Sequence, residues 1–428
     1  MKKLIKVLLS VCWVLSCFIG ISGVQAKGPT EISYYLWDDP TYRQIVDAYN
    51  ASQKEIHVKA TYLQAADYET KLLTLLAGGV NMDCYMQKRQ ADMYPQNSNG
   101  YIEPLNKLIK KYKFNIGADK PYMNDISING KVLAIPFRGA GYFTYYNKKI
   151  FEKAGIPTPT ELVKKGNWNW NKFMEVSQKL STGDGKQYGA ILYTWPVNTF
   201  LPAYQQKVDF ITASGKIDVD IDSVLFSMRL RRNLEKSKAI IPLAELKATK
   251  THYSQAFYQG NVGMVLIGEW FPQYMLAARD QKLLKNFTWN DWAITRIPCD
   301  SANYITAGAS TFNHIYSRSK KKDAAFKFLA WAGGVEGAKV VAKNGILPAI
   351  VNEEVQNELT KVVPDMESVK YLSEPAPKFT AYINKYGTKI ETQVLNPLIE
   401  KYLVSDMSDG DFMVELDRGL KEVVKSSN

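Results

Sequence analysis

Apolar and polar positions alternate soon after the start of the chain. "EISYYLW" (31–37) and "IHVKATYL" (56–63) read as strands, rich in β-branched and aromatic residues. Between them, "PTYRQIVDAYNASQ" (40–53) places Ile45, Val46 and Tyr49 on one helical face. "YETKLLTLLAGG" (68–79) is a second helix, closed by Gly78 and Gly79, and "VNMDCYM" (80–86) a third strand. Strand, helix, strand, helix, strand predicts a parallel α/β unit. Further strands are predicted at 130–137, 141–147, 188–195 and 262–268. Helices are predicted at 167–181 with an Asn cap, at 319–334 with a Ser cap and Gly stop, and from about 383 to the end. Alternation throughout predicts one α/β protein of two lobes.

The first residues follow a different pattern. Lys2, Lys3 and Lys6 precede the apolar run Leu8–Ile21, and Val24-Gln25-Ala26 offers small residues for a cut after Ala26. The run is too short to span a bilayer, so residues 1–26 are predicted to be a signal peptide. Cys17 follows Val14-Leu15-Ser16, a faint likeness to a lipoprotein box. Leu15 is bulky where such boxes carry a small residue, so Cys17 reads as an apolar signal residue. The mature chain is expected to be exported.

Composition narrows the chemistry. Of 428 residues, 46% are hydrophobic and 22% charged, which excludes general disorder. Cys84 and Cys299 are the cysteines left after the signal, too few for a disulfide scaffold, and both read as small buried hydrophobes. His57, His252 and His314 have no metal-ligand spacing and no CxxC occurs, so neither metal nor cofactor is expected. The net charge of +12 falls to +9 without the three signal lysines. The basic runs read as helix and turn surfaces, and no nucleic-acid partner is expected. "STGDGKQYG" (181–189) has too few carboxylates for a calcium loop and reads as a turn.

Ligands of open α/β sheets lie beyond the carboxyl ends of strands. Those ends carry Trp37-Asp38-Asp39, Gln87-Lys88-Arg89, Arg138, Trp195 and "GEW", Gly268 to Trp270. Rings with carboxylates and amides suit a sugar: the C–H face of a pyranose covers a ring, and its hydroxyls need donors and acceptors. Each residue also has a bland alternative. Trp37 can be core, Asp38 or Asp39 can cap the next helix, Arg138 can pair with an acid, and Trp195 can anchor a loop. No GxSxG, HExxH, P-loop or GxGxxG occurs in its required context, and no catalytic residue is assigned.

Four stretches carry a family resemblance: "PFRGAGYFTYYNKKIFEKAGIP" (136–157), "AFYQGNVGMVLIGEW" (256–270), "WAITRIP" with "AGAS" and "SKKKDAAFKFLAW" (292–331), and "GILPA" (345–349). The chain resembles the extracellular solute-binding proteins of bacterial ABC importers, in the carbohydrate branch related to maltose-binding protein. Arg138, Phe143 and Thr144 depart from the strict pattern around Tyr146-Asn147.

The resemblance implies a type II periplasmic-binding-protein-like fold, an α/β protein with a ligand cleft between two lobes. It implies lobes at 27–137 with 299–340 and at 138–298 with 341–428. Crossings are expected near Arg138, Pro298 and Val335 to Asn344. The same resemblance implies ligand-binding roles for Trp37, Asp38, Gln87, Arg138, Trp195, Glu269, Trp270 and the backbone of Gly308, with Tyr382 as a weaker candidate. The expected partners are a carbohydrate and the transmembrane permease subunits of an ABC importer, with the binding protein acting as a monomer. Lys88, Arg89 and Arg138, with the basic net charge, suggest an acidic sugar such as a uronate oligomer. Two other classes stay open: a secreted glycosidase with two convergent acids, and a surface adhesion protein.

Overall fold

The strand Thr30–Trp37 buries Ile32, Tyr34 and Leu36 on one face, as the period of two requires. Asp39 ends it in extended geometry, and its carboxylate accepts the Thr41 N–H at 2.9 Å, capping the helix Pro40–Ser52. Ile56–Leu63 returns parallel to the first strand over all eight residues, and Cys84–Gln87 pairs parallel on its other side. Phe312–Ile315 and Ile135–Pro136 complete a five-stranded sheet, both antiparallel to their neighbours.

These elements belong to a computed structural model that describes residues 28–117, 123–301, 303–308, 310–381 and 383–427. The signal segment with Cys17 and Ala26, and Tyr382, lie outside the described residues.

A second sheet has four strands, ordered Trp292–Arg296, Tyr142–Asn147, Val262–Gly268 and Tyr188–Leu192. All seven residues of Val262–Gly268 are buried between two neighbours, which is why that strand is continuously apolar. Each sheet has its own aromatic-rich core. The chain leaves the first sheet after Pro136, returns to it at Phe312, and then runs through the helix Val335–Lys343. That helix gives Val341 to the core of the first sheet and Ala338 and Ala342 to the core of the second. No helix among the described residues is long and apolar enough to cross a membrane.

Several elements differ from the pattern in the sequence. The run 130–137 is not one strand: Lys131–Val132 pairs locally with Ser127–Ile128, and only Ile135–Pro136 joins the sheet. Pro136 has no N–H to donate, and its strand lies at the sheet edge. The strand expected at 188–195 stops at Leu192, and Trp195 instead precedes the helix Pro196–Gln205. Ser319 does not cap a helix. Its hydroxyl donates to Asp83 at 2.6 Å and accepts from Lys321 N–H, and the helix starts at Lys322. Cys84 is buried as expected, whereas Cys299 is half-buried.

His314 gives the first body a pH signature. It is fully buried, and its Nδ1 donates to the Leu133 carbonyl at 2.8 Å. Burial lowers its pKa from 6.5 to about 4, against the opposing effect of that carbonyl. The unfolded chain takes up a proton near pH 6.5 that the folded chain refuses until about pH 4. Its contribution is therefore intact above pH 6.5 and is lost as pH falls through this window. The expected loss by pH 4 is about 3 kcal/mol. Urea melts of the wild type and His314→Phe from pH 7 to pH 4 check this; equal losses in both proteins would contradict it.

Candidate functional site

A cleft of about 490 Å³ opens beyond the strand ends, lined from both sheets and from the C-terminal helices. On the side of the first sheet, Trp37 stands edge-on to Tyr42 at 4.9 Å and to Tyr68 at 5.4 Å. Trp37 is nearly buried, so it serves the core and leaves only a small part of its ring open to the cleft. Lys88, Arg89 and Gln90 follow from the end of the third strand.

The second sheet supplies an aromatic wall. Trp270 Nε1 donates to the Tyr253 hydroxyl at 2.7 Å, and its ring lies 5.9 Å from Trp195 and 6.3 Å from Tyr142. Trp195 is the most open of these rings, 38% exposed. Gly268 explains how Trp270 reaches its position. A Cβ at 268 would lie 2.1 Å from the indole ring, so the ring rests on bare backbone. Arg138 lies on the same ring at 5.3 Å.

Polar contacts tie the two sides together. Arg138 donates from Nε at 3.1 Å and from Nη2 at 2.7 Å to one oxygen of Glu269, and from Nη1 to the Tyr42 hydroxyl at 2.8 Å. Burial works against the arginine charge, but Tyr42 and Glu269 outweigh it and hold the guanidinium above its ordinary pKa range. Gln273 donates to Asp39 at 2.8 Å and to Thr41 at 2.9 Å. Thr388 donates to Asp92 at 2.8 Å.

Six of the residues expected from sequence line the cleft: Trp37, Arg138, Trp195, Glu269, Trp270 and Gly308. Asp38 and Gln87 do not. Asp38 turns outward to pair with Arg43 at 2.7 Å, and its neighbour Asp39 lines the cleft instead. Successive side chains at a strand end point to opposite faces. Gln87 is buried behind the loop, where its Nε2 donates to the Arg89 carbonyl at 2.7 Å. The Gly308 N–H is not free for a ligand, because it donates to Phe379 at 3.3 Å. At φ +141° Gly308 holds a backbone conformation that side-chain-bearing residues rarely adopt, and a Cβ there would crowd Gly141 at 3.1 Å.

Sequence reading missed Glu69, Tyr142, Tyr253, Gln273, Phe379 and Glu391 in the lining. Tyr142 and Tyr253 look like core residues in any local window. Glu391 lies in a tail that announces only a helix. Lys88 and Arg89, which in the sequence suggest an acidic sugar, are both engaged by the protein. Lys88 donates to the Ala65 carbonyl at 2.9 Å beside Glu69, and Arg89 makes two bonds to Asp92 at 3.0 and 3.3 Å. Among the described residues no group of His, Cys, Asp and Glu could hold a metal ion.

Residues 38–339 match the family model of the bacterial extracellular solute-binding proteins, and the chain belongs to that family. That family is one of binding proteins, and solved neighbours of the same fold include sugar-binding ABC substrate-binding proteins. A sugar transporter from Rhizobium etli, solved in an open conformation, is 30% identical with a TM-score of 0.77. The match covers 92% of this chain and 99% of that one. An ABC substrate-binding protein from Listeria monocytogenes, solved in complex with cycloalternan, shares the fold at 22% identity and a TM-score of 0.74, over 93% and 99% of the two chains. An arabinooligosaccharide-binding protein of Halalkalibacterium halodurans is 23% identical over 181 residues, 40% of this chain and 36% of that one.

Proposed function

We propose that this chain is the extracytoplasmic capture subunit of an ABC importer, closing two lobes on an oligosaccharide or sugar derivative and delivering it to a membrane permease. The observation that carries the reading is the wall of Trp195, Tyr253 and Trp270 facing Trp37 across the cleft. Flat rings take the C–H face of a sugar, and Asp39, Gln273 and Glu391 supply acceptors and donors at the edges. The oligosaccharides bound by the Listeria and Halalkalibacterium relatives support this class of ligand.

The lobes of this reading comprise residues 27–137 with 299–340 and 138–298 with 341–428. The links near Arg138, near Pro298 and from Val335 to Asn344 act as hinges. The sheet membership of Ile135–Pro136 and Tyr142–Asn147 supports the link near Arg138, whereas Thr306–Ala307 still pairs with Lys378–Phe379 and favours a second link nearer Phe312 than Pro298. A neutral ligand fits better than an acidic one, because Lys88, Arg89 and Arg138 already serve Glu69, Asp92 and Glu269. The carrier is exported and works as a monomer.

Small-angle scattering with and without saturating ligand tests the capture step. A smaller radius of gyration with sugar supports closure, since only a ligand that binds the closed state better can shift the population. An unchanged radius at saturation contradicts it.

A further inference from the structure

The C-terminal helical segment contains one wide turn. Ile390–Leu395 is π-helical, between Gly387–Lys389 and Asn396–Val404. Single π turns recur at functional sites, because the extra residue re-aims a side chain. This turn carries Glu391, whose side chain lines the cleft.

Glu391 differs from the other acids there. Asp39 accepts from Thr41 and Gln273, Glu69 lies 3.7 Å from Lys88, and Glu269 holds Arg138. Glu391 has no hydrogen-bond or ion-pair partner among the described residues. The cation facing it, Arg89, is held by Asp92, which also accepts from Thr388 three residues before Glu391. Burial raises the Glu391 pKa; Arg89 opposes that rise, while Asp92 and Glu69 add to it. A half-buried acceptor in a ligand cleft is thus left without a donor from the protein.

We propose that Glu391 is a specificity-determining residue. It accepts hydrogen bonds from a hydroxyl or ammonium group of the bound sugar and excludes sugars with a carboxylate at that position. The inference rests on the sugar-binding reading above. A donor there makes a charge-assisted bond. A ligand carboxylate instead meets a like charge with no free cation beside it, a repulsive element of the kind that sets specificity. Hydroxyl and amine share the donor chemistry, and the experiment separates them.

The test is titration of wild type, Glu391→Gln and Glu391→Asp, by ligand-induced thermal shift and calorimetry. The probes are cellotriose and maltotriose, each in neutral, 6-amino-6-deoxy and glucuronate forms. Wild type is expected to prefer the donor-bearing forms over the glucuronate by about tenfold or more. Glu391→Gln is expected to bring the forms within about threefold of one another, and Glu391→Asp, which keeps the charge, to retain the preference. An amine form that outbinds the neutral one in wild type but not in Glu391→Gln assigns an ammonium ligand; equal binding in wild type assigns a hydroxyl. Unchanged discrimination in Glu391→Gln overturns the inference, as does a Glu391→Asp protein that behaves like Glu391→Gln. Binding of no saccharide form by wild type instead overturns the sugar-binding reading itself.

Discussion

Glu269→Ala is expected to destabilise the ligand-free protein by about 3–5 kcal/mol, the loss that follows removal of one partner from a buried ion pair. Arg138 and Glu269 are 7% and 2% exposed, so water replaces little of what is lost. Without the carboxylate, the guanidinium keeps the Tyr42 hydroxyl and the Trp270 ring, and these neutral groups do not compensate a buried charge. Arg138→Ala is expected to cost a similar amount for the opposite reason, stranding the carboxylate. The double replacement Arg138→Met with Glu269→Leu is expected to recover much of the loss, since the penalty belongs to the unpaired charge more than to the pair. Urea denaturation of the four proteins measures this. A single variant within about 1 kcal/mol of wild type would mean that the pair behaves like a surface contact. The network also links three stretches distant in sequence. Tyr42 packs in the core of the first sheet, Arg138 follows its edge strand Ile135–Pro136, and Glu269 follows an inner strand of the second. Its loss is therefore expected to loosen the relation between the lobes.

The second large effect is on binding. Trp270→Ala is expected to weaken sugar affinity by about 30-fold, corresponding to about 2 kcal/mol for a central aromatic anchor. Trp270 remains partly exposed and touches both cores from the rim, so the fold is expected to survive its loss. Gly268→Ala gives an independent check. The added methyl meets the indole ring, which must leave its seat, while every cleft side chain is kept. Both variants are expected to lose affinity in calorimetry, with Trp270→Phe intermediate. Full affinity in Gly268→Ala together with a shifted indole spectrum would show that the ring's position is irrelevant to the ligand.

What the sequence disclosed follows from how local each signal is. Val262–Gly268 was legible because a strand buried on both faces must be apolar throughout, and Glu269-Trp270 then stood out as its end. An Asn cap within 167–181, which in the structure is Asn169, and the parallel start were legible for the same reason: a few adjacent residues determine them. The choice between Asp38 and Asp39 was not, because it depends on which face of the strand end meets the cleft. Nor was the spending of Lys88, Arg89 and Arg138, which depends on acids at Glu69, Asp92 and Glu269 that only folding brings near. That pairing removes the reason to expect an acidic sugar. Glu391 was hidden most deeply, since its neighbours Arg89 and Asp92 lie some three hundred positions earlier in the chain.

The most direct measurement is calorimetric titration of the mature protein with a panel of neutral, amino and acidic oligosaccharides, with the sugar recovered and analysed afterwards. The account expects saturable one-to-one binding of at least one neutral or amino sugar, loss of that binding in Trp270→Ala, and recovery of the sugar chemically unchanged. Absence of binding across the panel, or release of new reducing ends, would contradict it.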